Sequence, residues 1–332
     1  MTRLYPWLDT QWRQLQQRRA KAQLPHALLL HGPEGIGKTD FAHAVAKGLL
    51  CEQPAPNGQS CGQCKTCRLF DADNHPDFIS IQPEEAGKAI KIDQIRGLIQ
   101  LMSLSSHYGG YRIVLIAPAE QMNLAASNGL LKTLEEPQAH TLIILVTTQV
   151  SRLPATIRSR CQLLRFSRPD PVSALSWLTA ELGDNLQTEQ LLMTANGAPL
   201  LARQMAGNDT IRVRQQVLQD LLAISSGHKQ AMDIAAEWLK QGHSKTLQWV
   251  YQWICDMIRI KSAGADFVVN QDIAPELQST AQSIDLNRLY RFLDQVAEAI
   301  RLQQTSVNEL LLIEGLLLNW QYLDNDRKQE RA

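Results

Sequence analysis

The chain has no run of about 18 or more apolar residues, and its opening stretch, MTRLYPWLDTQWRQL, lacks the uninterrupted apolar segment of a secretory signal. Neither a membrane span nor a leader is expected, and the sequence reads as soluble and cytoplasmic, with no membrane partner. Net charge is missing too, because 33 Lys plus Arg balance 33 Asp plus Glu. A protein that holds nucleic acid through its overall charge carries a basic excess, so that class is disfavoured, although a local basic patch stays open. Cysteine is sparse, with six residues, and in a reducing compartment these are not expected to form disulfides. Their spacing needs another explanation.

At 332 residues the chain is too long for one compact core, so two or three domains are expected. Asp9 or Thr10 can cap a first helix that runs to about Ala22. Apolar strand-like runs then alternate with helical patterns: Ala27 to Leu30, Asp77 to Ile81, Tyr111 to Ile116, Thr141 to Thr148 and Gln162 to Phe166. Ile92, Ile95, Leu98, Ile99 and Met102 recur at the spacing of one buried helix face. Strands alternating with helices imply an α/β domain whose parallel sheet is covered on both faces. From Pro169 onward the strand signal disappears. The rest reads as helices, broken at Gly183-Asp184, Asn196 to Pro199, Gly207-Asn208 and Ser262 to Pro275. The segment ELLLIEGLLLNW, Glu309 to Trp320, is too short to span a membrane and reads as a core helix, and Asn325 to Ala332 as a charged, frayed end.

The stretch HGPEGIGKT, His31 to Thr39, fills the pattern G-x-x-x-x-G-K-[ST] with Gly32, Gly37, Lys38 and Thr39, and Gly35 lies inside it. It follows an apolar run and precedes a helical pattern, Phe41 to Leu50. Backbone N–H groups at a helix N-terminus can then cradle phosphates while Lys38 reaches the outer ones, whereas a bare glycine-rich turn would need no such context. Binding of ATP or ADP, weakly, is the expectation. Cys51, Cys61, Cys64 and Cys67 form C-x9-C-x2-C-x2-C in a polar insert at 51–67. Four separate core thiols would not cluster in this way. Four thiolates at this density fit a closed tetrahedral Zn2+ site with no open position, hence a structural role. Cys161 and Cys255 stand alone and read as packing thiols.

One further absence bears on chemistry. Hydrolysis needs an acidic residue at the end of a later strand to help hold Mg2+, and a base to orient the attacking water. Where such a pair would follow the apolar run in RIVLIAPAEQMN, the sequence has Ala117-Pro118, and neither side chain binds metal or accepts a proton. Glu120 is the only nearby carboxylate, but it lies past the strand end and after the proline, so it reads less as a substitute for that pair than as the start of the next helix. Losing a base alone removes about 10^2- to 10^4-fold in rate, so nucleotide binding is expected without turnover.

The phosphate loop, the four-cysteine insert, NGLLKTLEEP at Asn128 to Pro137 and LPATIRSRC at Leu153 to Cys161 together resemble the bacterial AAA+ clamp-loader family. YPWL at Tyr5 to Leu8 and the degenerate Ala117-Pro118 resemble, more narrowly, a ring subunit that does not hydrolyse ATP. These motifs span Tyr5 to Cys161, and the remainder agrees in length and helical character. The resemblance implies an AAA+ nucleotide-binding-like domain at 1–167, a small helical lid at 168–207 and a helical collar at 208–332. It implies a five-membered ring with other clamp-loader subunits, which acts on the sliding clamp and primer-template DNA within a replicative polymerase complex. It also implies that Arg160, in Ser159-Arg160-Cys161, reaches ATP on a neighbouring subunit as an arginine finger in trans. Without the flanking match, Arg160 would read as a surface arginine.

Hydrolysing members carry an arginine after a Gly in the lid, and in GAPLLARQM Leu200 takes its place, with Arg203 one turn on. Thr147 and Thr148 occupy the place where the family senses the outer phosphate, and serve equally well as strand-end hydroxyls. The function expected is thus a stator that loads the sliding clamp. An ATP-hydrolysing motor subunit of the same ring competes with it, against the Ala117-Pro118 pair. A free-standing zinc-containing nucleic-acid-binding protein also competes, against the zero net charge.

Overall fold

The computed structural model describes residues 4–85, 87–102, 106–183, 186–207, 210–241, 246–303 and 307–329. The chain forms two units, Met1–Ala180 with Gly197–Leu201, and Glu181–Asn196 with Ala202–Ala332.

In the first unit the apolar runs become β1 (Ala27–His31), β2 (Phe78–Ile81), β3 (Arg112–Ile116), β4 (Thr141–Thr147) and β5 (Gln162–Arg165). All pair in parallel, in the spatial order β2-β3-β4-β1-β5. Leu29 of β1 sits between Leu145 of β4 and Leu163 of β5, and Val114 of β3 beside Ile143 of β4. The inner strands β3 and β4 are buried along their whole length, as expected of a parallel sheet with helices on both faces, and the edge strand β5 alternates half-buried and exposed positions. The helices of this part are α1 (Asp9–Ala20), α2 (Lys38–Leu50), α3 (Lys65–Asp71), α4 (Ile92–Met102), α5 (Leu124–Glu135) and α6 (Ala155–Arg158). Ile95, Leu98 and Met102 of α4 and Ala126, Leu130 and Leu134 of α5 pack on Leu29, Val114, Ile116, Ile143 and Leu145, so the expected periodic face of α4 does meet the sheet.

The boundaries differ from the sequence expectations by a residue or so, for local reasons. β2 starts at Phe78 rather than Asp77, whose buried carboxylate accepts N–H bonds from His107 (2.8 Å) and Tyr108 (3.1 Å). Neither Asp9 nor Thr10 caps α1. A 3-10 turn at Pro6–Leu8 runs straight into the helix, the Asp9 N–H bonds the Pro6 carbonyl, and Asp9 instead pairs with Arg13 one turn along.

Next come α7 (Pro171–Leu182), α8 (Leu186–Thr194) and α9 (Pro199–Ala206). The expected break at Asn196 to Pro199 is present, with Asn196 and Gly197 both at positive φ. Then α10 (Thr210–Ser225), α11 (Ala231–Gln241), α12 (Thr246–Ala263), α13 (Ala274–Ser283), α14 (Leu286–Leu302) and α15 (Glu309–Gln329) pack around Trp253, Phe292 and Trp320, and no strand occurs among their described residues. The apolar stretch at Glu309 to Trp320 is a core helix as expected: Ile313, Leu316, Leu317 and Trp320 are buried, and the Trp320 indole donates to the Leu221 carbonyl at 2.9 Å. It continues to Gln329, further than the charged tail suggested, and 330–332 lie outside the described residues.

The segment between α12 and α13 is pinned by buried charge. The Asp256 carboxylate, fully buried, accepts the N–H groups of Val269 (3.1 Å) and Asn270 (2.9 Å) and the Asn270 amide (2.7 Å). Arg214 donates to Asn270 Oδ1 at 2.8 Å and pairs with Asp272 at 2.5 Å, its guanidinium lying over Trp253. Among the described residues no helix is long and apolar enough to cross a membrane.

Candidate functional site

The phosphate loop leaves β1 and enters α2 with Gly37 as the residue before the helix. Gly35 and Gly37 have φ of +72° and +89°, in the left-handed region. A Cβ on Gly35 would lie 2.5 Å from Leu201 Cβ, and one on Gly37 would lie 2.6 Å from the Tyr5 ring, so both positions exclude any side chain. Lys38 is 6% exposed and gives two of its three protons to the loop's own carbonyls, Gly32 O at 2.8 Å and Pro33 O at 2.5 Å. Burial pushes its ammonium down to about 8, while Glu120 and Glu34 work in the other direction. Thr39 stands exposed in the first turn of α2. A cradle that admits no side chain, a helix N-terminus and a half-desolvated cation are together the chemistry an anionic phosphate needs, so the residues present fit a nucleotide.

The N-terminal segment builds one wall of this loop. The Tyr5 hydroxyl donates to Asp40 at 3.2 Å, the Trp7 indole donates to the Ile36 carbonyl at 3.0 Å, and the two rings stack with centroids 5.1 Å apart. Leu200 also meets the loop: its N–H donates to Gly35 O at 3.0 Å, and its Cδ1 lies 3.4 Å from the position of a Gly37 Cβ. An aliphatic side chain thus stands at the loop where hydrolysing relatives were expected to offer an arginine. Arg203 pairs with Glu181.

β3 ends at Ile116 and is followed by Ala117-Pro118, so the strand end itself offers no carboxylate. Glu120 comes next, on a 3-10 turn at Ala119–Gln121 rather than on the following helix as its position in the sequence suggested. Its Oε1 accepts the Thr148 N–H at 2.9 Å and the Thr148 hydroxyl at 2.6 Å, tying the turn to the end of β4. Thr147 is buried, and its hydroxyl accepts the Gln149 N–H.

Cys51, Cys61, Cys64 and Cys67 converge, with all four sulfurs within 4.8 Å of one another. Cys51–Cys61 is 3.5 Å, Cys51–Cys64 3.9 Å and Cys61–Cys67 4.0 Å, against ~3.8 Å between ligand sulfurs for tetrahedral bonds of about 2.3 Å. Backbone N–H groups point at the sulfurs: Cys64 N and Gln63 N at Cys61, and Cys67 N at Cys64, where Cys64 also caps α3. Those of Gln63 and Cys64 lower the Cys61 thiol. At Cys64 burial works to raise the thiol, but the Thr66 hydroxyl and the Cys67 N–H outweigh it and bring it down to about 6. Burial raises Cys51 and Cys67. The set can hold one metal ion with no open position, consistent with structural zinc. Cys161 is a buried core thiol, raised to about 11 by burial, and Cys255 is half-buried.

Arg160 follows α6 on the turn before β5. Its guanidinium, about one-third exposed, pairs with Glu135 at the end of α5 (2.5 Å) and donates to the Thr156 carbonyl at 3.0 Å and the Ser159 hydroxyl at 3.3 Å. The sequence reading missed Glu135 as its partner, although Glu135 belongs to the quoted NGLLKTLEEP. The pairing is set by where α5 and α6 end, which no local sequence signal carries.

The model of the family described as "DNA polymerase III, delta subunit" matches residues 7–170, and that of its C-terminal part matches residues 208–322. The chain is 35% identical over 330 residues to DNA polymerase III subunit delta' of Pseudomonas aeruginosa, covering 96% of this chain and 98% of the relative. It is 32% identical to the subunit of that name from Escherichia coli, covering 95% of each. Among solved structures, a DNA polymerase III gamma subunit-related protein of Thermotoga maritima is similar at 18% identity and a TM-score of 0.45, covering 96% of this chain and 99% of that one. On its two family matches and its full-length relatives, this chain belongs to the DNA polymerase III subunit delta' family.

Proposed function

We propose that this chain is the non-hydrolysing stator of its clamp loader. It assembles in the cytoplasm with other clamp-loader subunits in a five-membered ring that loads the sliding clamp onto primed DNA, and it donates Arg160 to ATP on a neighbour. Its organisation in this reading is a nucleotide-binding-like domain at 1–167, a lid at 168–207 and a collar at 208–332. The observation that carries it is Ala117-Pro118 after β3, which supplies neither metal ligand nor base in a chain that keeps a complete phosphate loop. Leu200 at the loop points the same way. The test is an ATPase assay of the purified chain alone and of the rebuilt ring. The chain alone is expected to show no Mg2+-dependent turnover above background, and rings lacking it to assemble poorly. Robust hydrolysis by the isolated chain, lost in Lys38→Ala, would instead make it a motor subunit.

The metal assigned to Cys51, Cys61, Cys64 and Cys67 is Zn2+, with a structural role. One equivalent is expected in freshly purified protein by elemental analysis. Cys64→Ser should lose the metal and loosen the insert at 51–67, seen as new protease cleavage there, with ring assembly impaired less than insert order. Metal-free wild-type protein with an intact, protease-resistant insert would end this assignment.

A further inference from the structure

Glu120, close enough to act on Lys38, is a carboxylate that the stator reading does not use. It lies on the 3-10 turn Ala119–Gln121, a few residues past the end of β3. Its Oε1 is fixed by two hydrogen bonds from Thr148, which leaves the carboxyl group a single orientation. Its Oε2 is shut off from solvent and has no hydrogen-bond partner among the described residues. Glu120 is also the foremost charge acting in favour of the Lys38 ammonium, so the two groups share one electrostatic environment. A buried carboxylate oxygen without a donor is half of an interaction, and an ion or its water shell is the usual other half. Mg2+ suits the position, because it keeps several of its waters and is held by one or two carboxylates together with substrate phosphates.

We propose that Glu120 stands in for the missing acidic pair as the carboxylate facing the divalent cation of a nucleoside triphosphate seated on the phosphate loop, so that this chain selects the Mg2+ form and holds it without turnover. The proposal rests on the reading that the loop binds nucleotide. The division of labour follows from the geometry: a carboxylate tied to the end of β4 can orient a hydrated cation, while the strand end that should furnish a base offers only Ala117 and Pro118.

The sign of the electrostatics supplies the test. Without a cation, the Glu120 charge repels a triphosphate; with Mg2+ present it attracts the complex. Glu120→Gln keeps the oxygen that accepts from Thr148 and removes only the charge. The full-length chain is titrated with mant-labelled ATP in Mg2+ and in EDTA. Wild-type affinity should rise about tenfold or more with Mg2+, whereas Glu120→Gln should lose most of that gain and bind as well as wild type, or better, in EDTA. Lys38→Ala should bind poorly in both. A wild-type affinity indifferent to Mg2+, or a Glu120→Gln effect of the same size and sign in both buffers, overturns the role of Glu120 while leaving nucleotide binding intact. No binding by wild type in either buffer overturns both. Unchanged far-UV circular dichroism and metal content in the variants exclude misfolding as the cause.

Discussion

Arg160→Ala is expected to silence one ATP site of the rebuilt ring while leaving this chain's own folding, metal content and nucleotide binding unchanged. The two effects separate by magnitude. An arginine finger contributes about 10^3 to 10^5 in turnover at the site it serves, equivalent to roughly 4–7 kcal/mol of barrier. Its loss from the isolated chain removes a pair with Glu135 whose members are about one-third and one-half exposed, and such pairs contribute ~0–1 kcal/mol. In the proposed five-membered ring this chain would serve one ATP site among several, so total ATPase should fall only in part, and clamp loading should fall further. Arg160→Lys should rescue poorly, since an ammonium cannot reproduce the planar fork that spans two oxygens. The comparison is DNA-stimulated ATPase and clamp loading by rings containing wild-type, alanine or lysine chains after equal assembly is confirmed. Full activity with the alanine variant would reduce Arg160 to a surface residue whose role is its pairing with Glu135.

The largest stability effect is expected at Asp256, far in sequence from any of this chemistry. Asp256→Ala leaves the N–H groups of Val269 and Asn270 and the Asn270 amide without an acceptor, and removes the charge that faces Arg259. Stripping one partner from a buried charged network costs about 3–5 kcal/mol. Asp256→Asn, which preserves one acceptor oxygen, should cost less. Denaturant unfolding followed by tryptophan fluorescence reads this directly, because Trp238, Trp249, Trp253 and Trp320 all report on the helical unit that holds Asp256. A loss below about 1 kcal/mol for the alanine variant would mean that the 264–273 segment is held by its other contacts.

The parallel sheet was legible because its strands are short apolar runs bounded by turn residues, and the inner strands, buried on both faces, read as continuous Ile, Leu and Val. The phosphate loop and the cysteine cluster were legible because their chemistry depends on spacing within a few residues. What escaped the sequence depends on partners far apart in the chain. Glu120 meets Thr148 only because β3 and β4 are neighbours, and Glu135 meets Arg160 only because α5 and α6 end close together. Arg214, Asn270 and Asp272 join across more than fifty positions for the same kind of reason, and periodicity carries no information about such pairings. Glu120 shows the cost of reading locally: its position after a proline suggested a helix start, whereas folding aims it at a strand end.

The strand order has a consequence for how the chain is made. β1 lies between β4 and β5, with Ala27 paired to Ile143, so the first strand to be synthesised must wait for about 116 further residues before either neighbour exists. At a synthesis rate of roughly 5–20 residues per second, that is about 6–23 s during which the segment ALLLH has no sheet to join. A nascent chain stalled before residue 141 should therefore hold the phosphate loop on an unpaired, apolar strand and depend on chaperones, whereas one released after 165 can close its sheet in a single step.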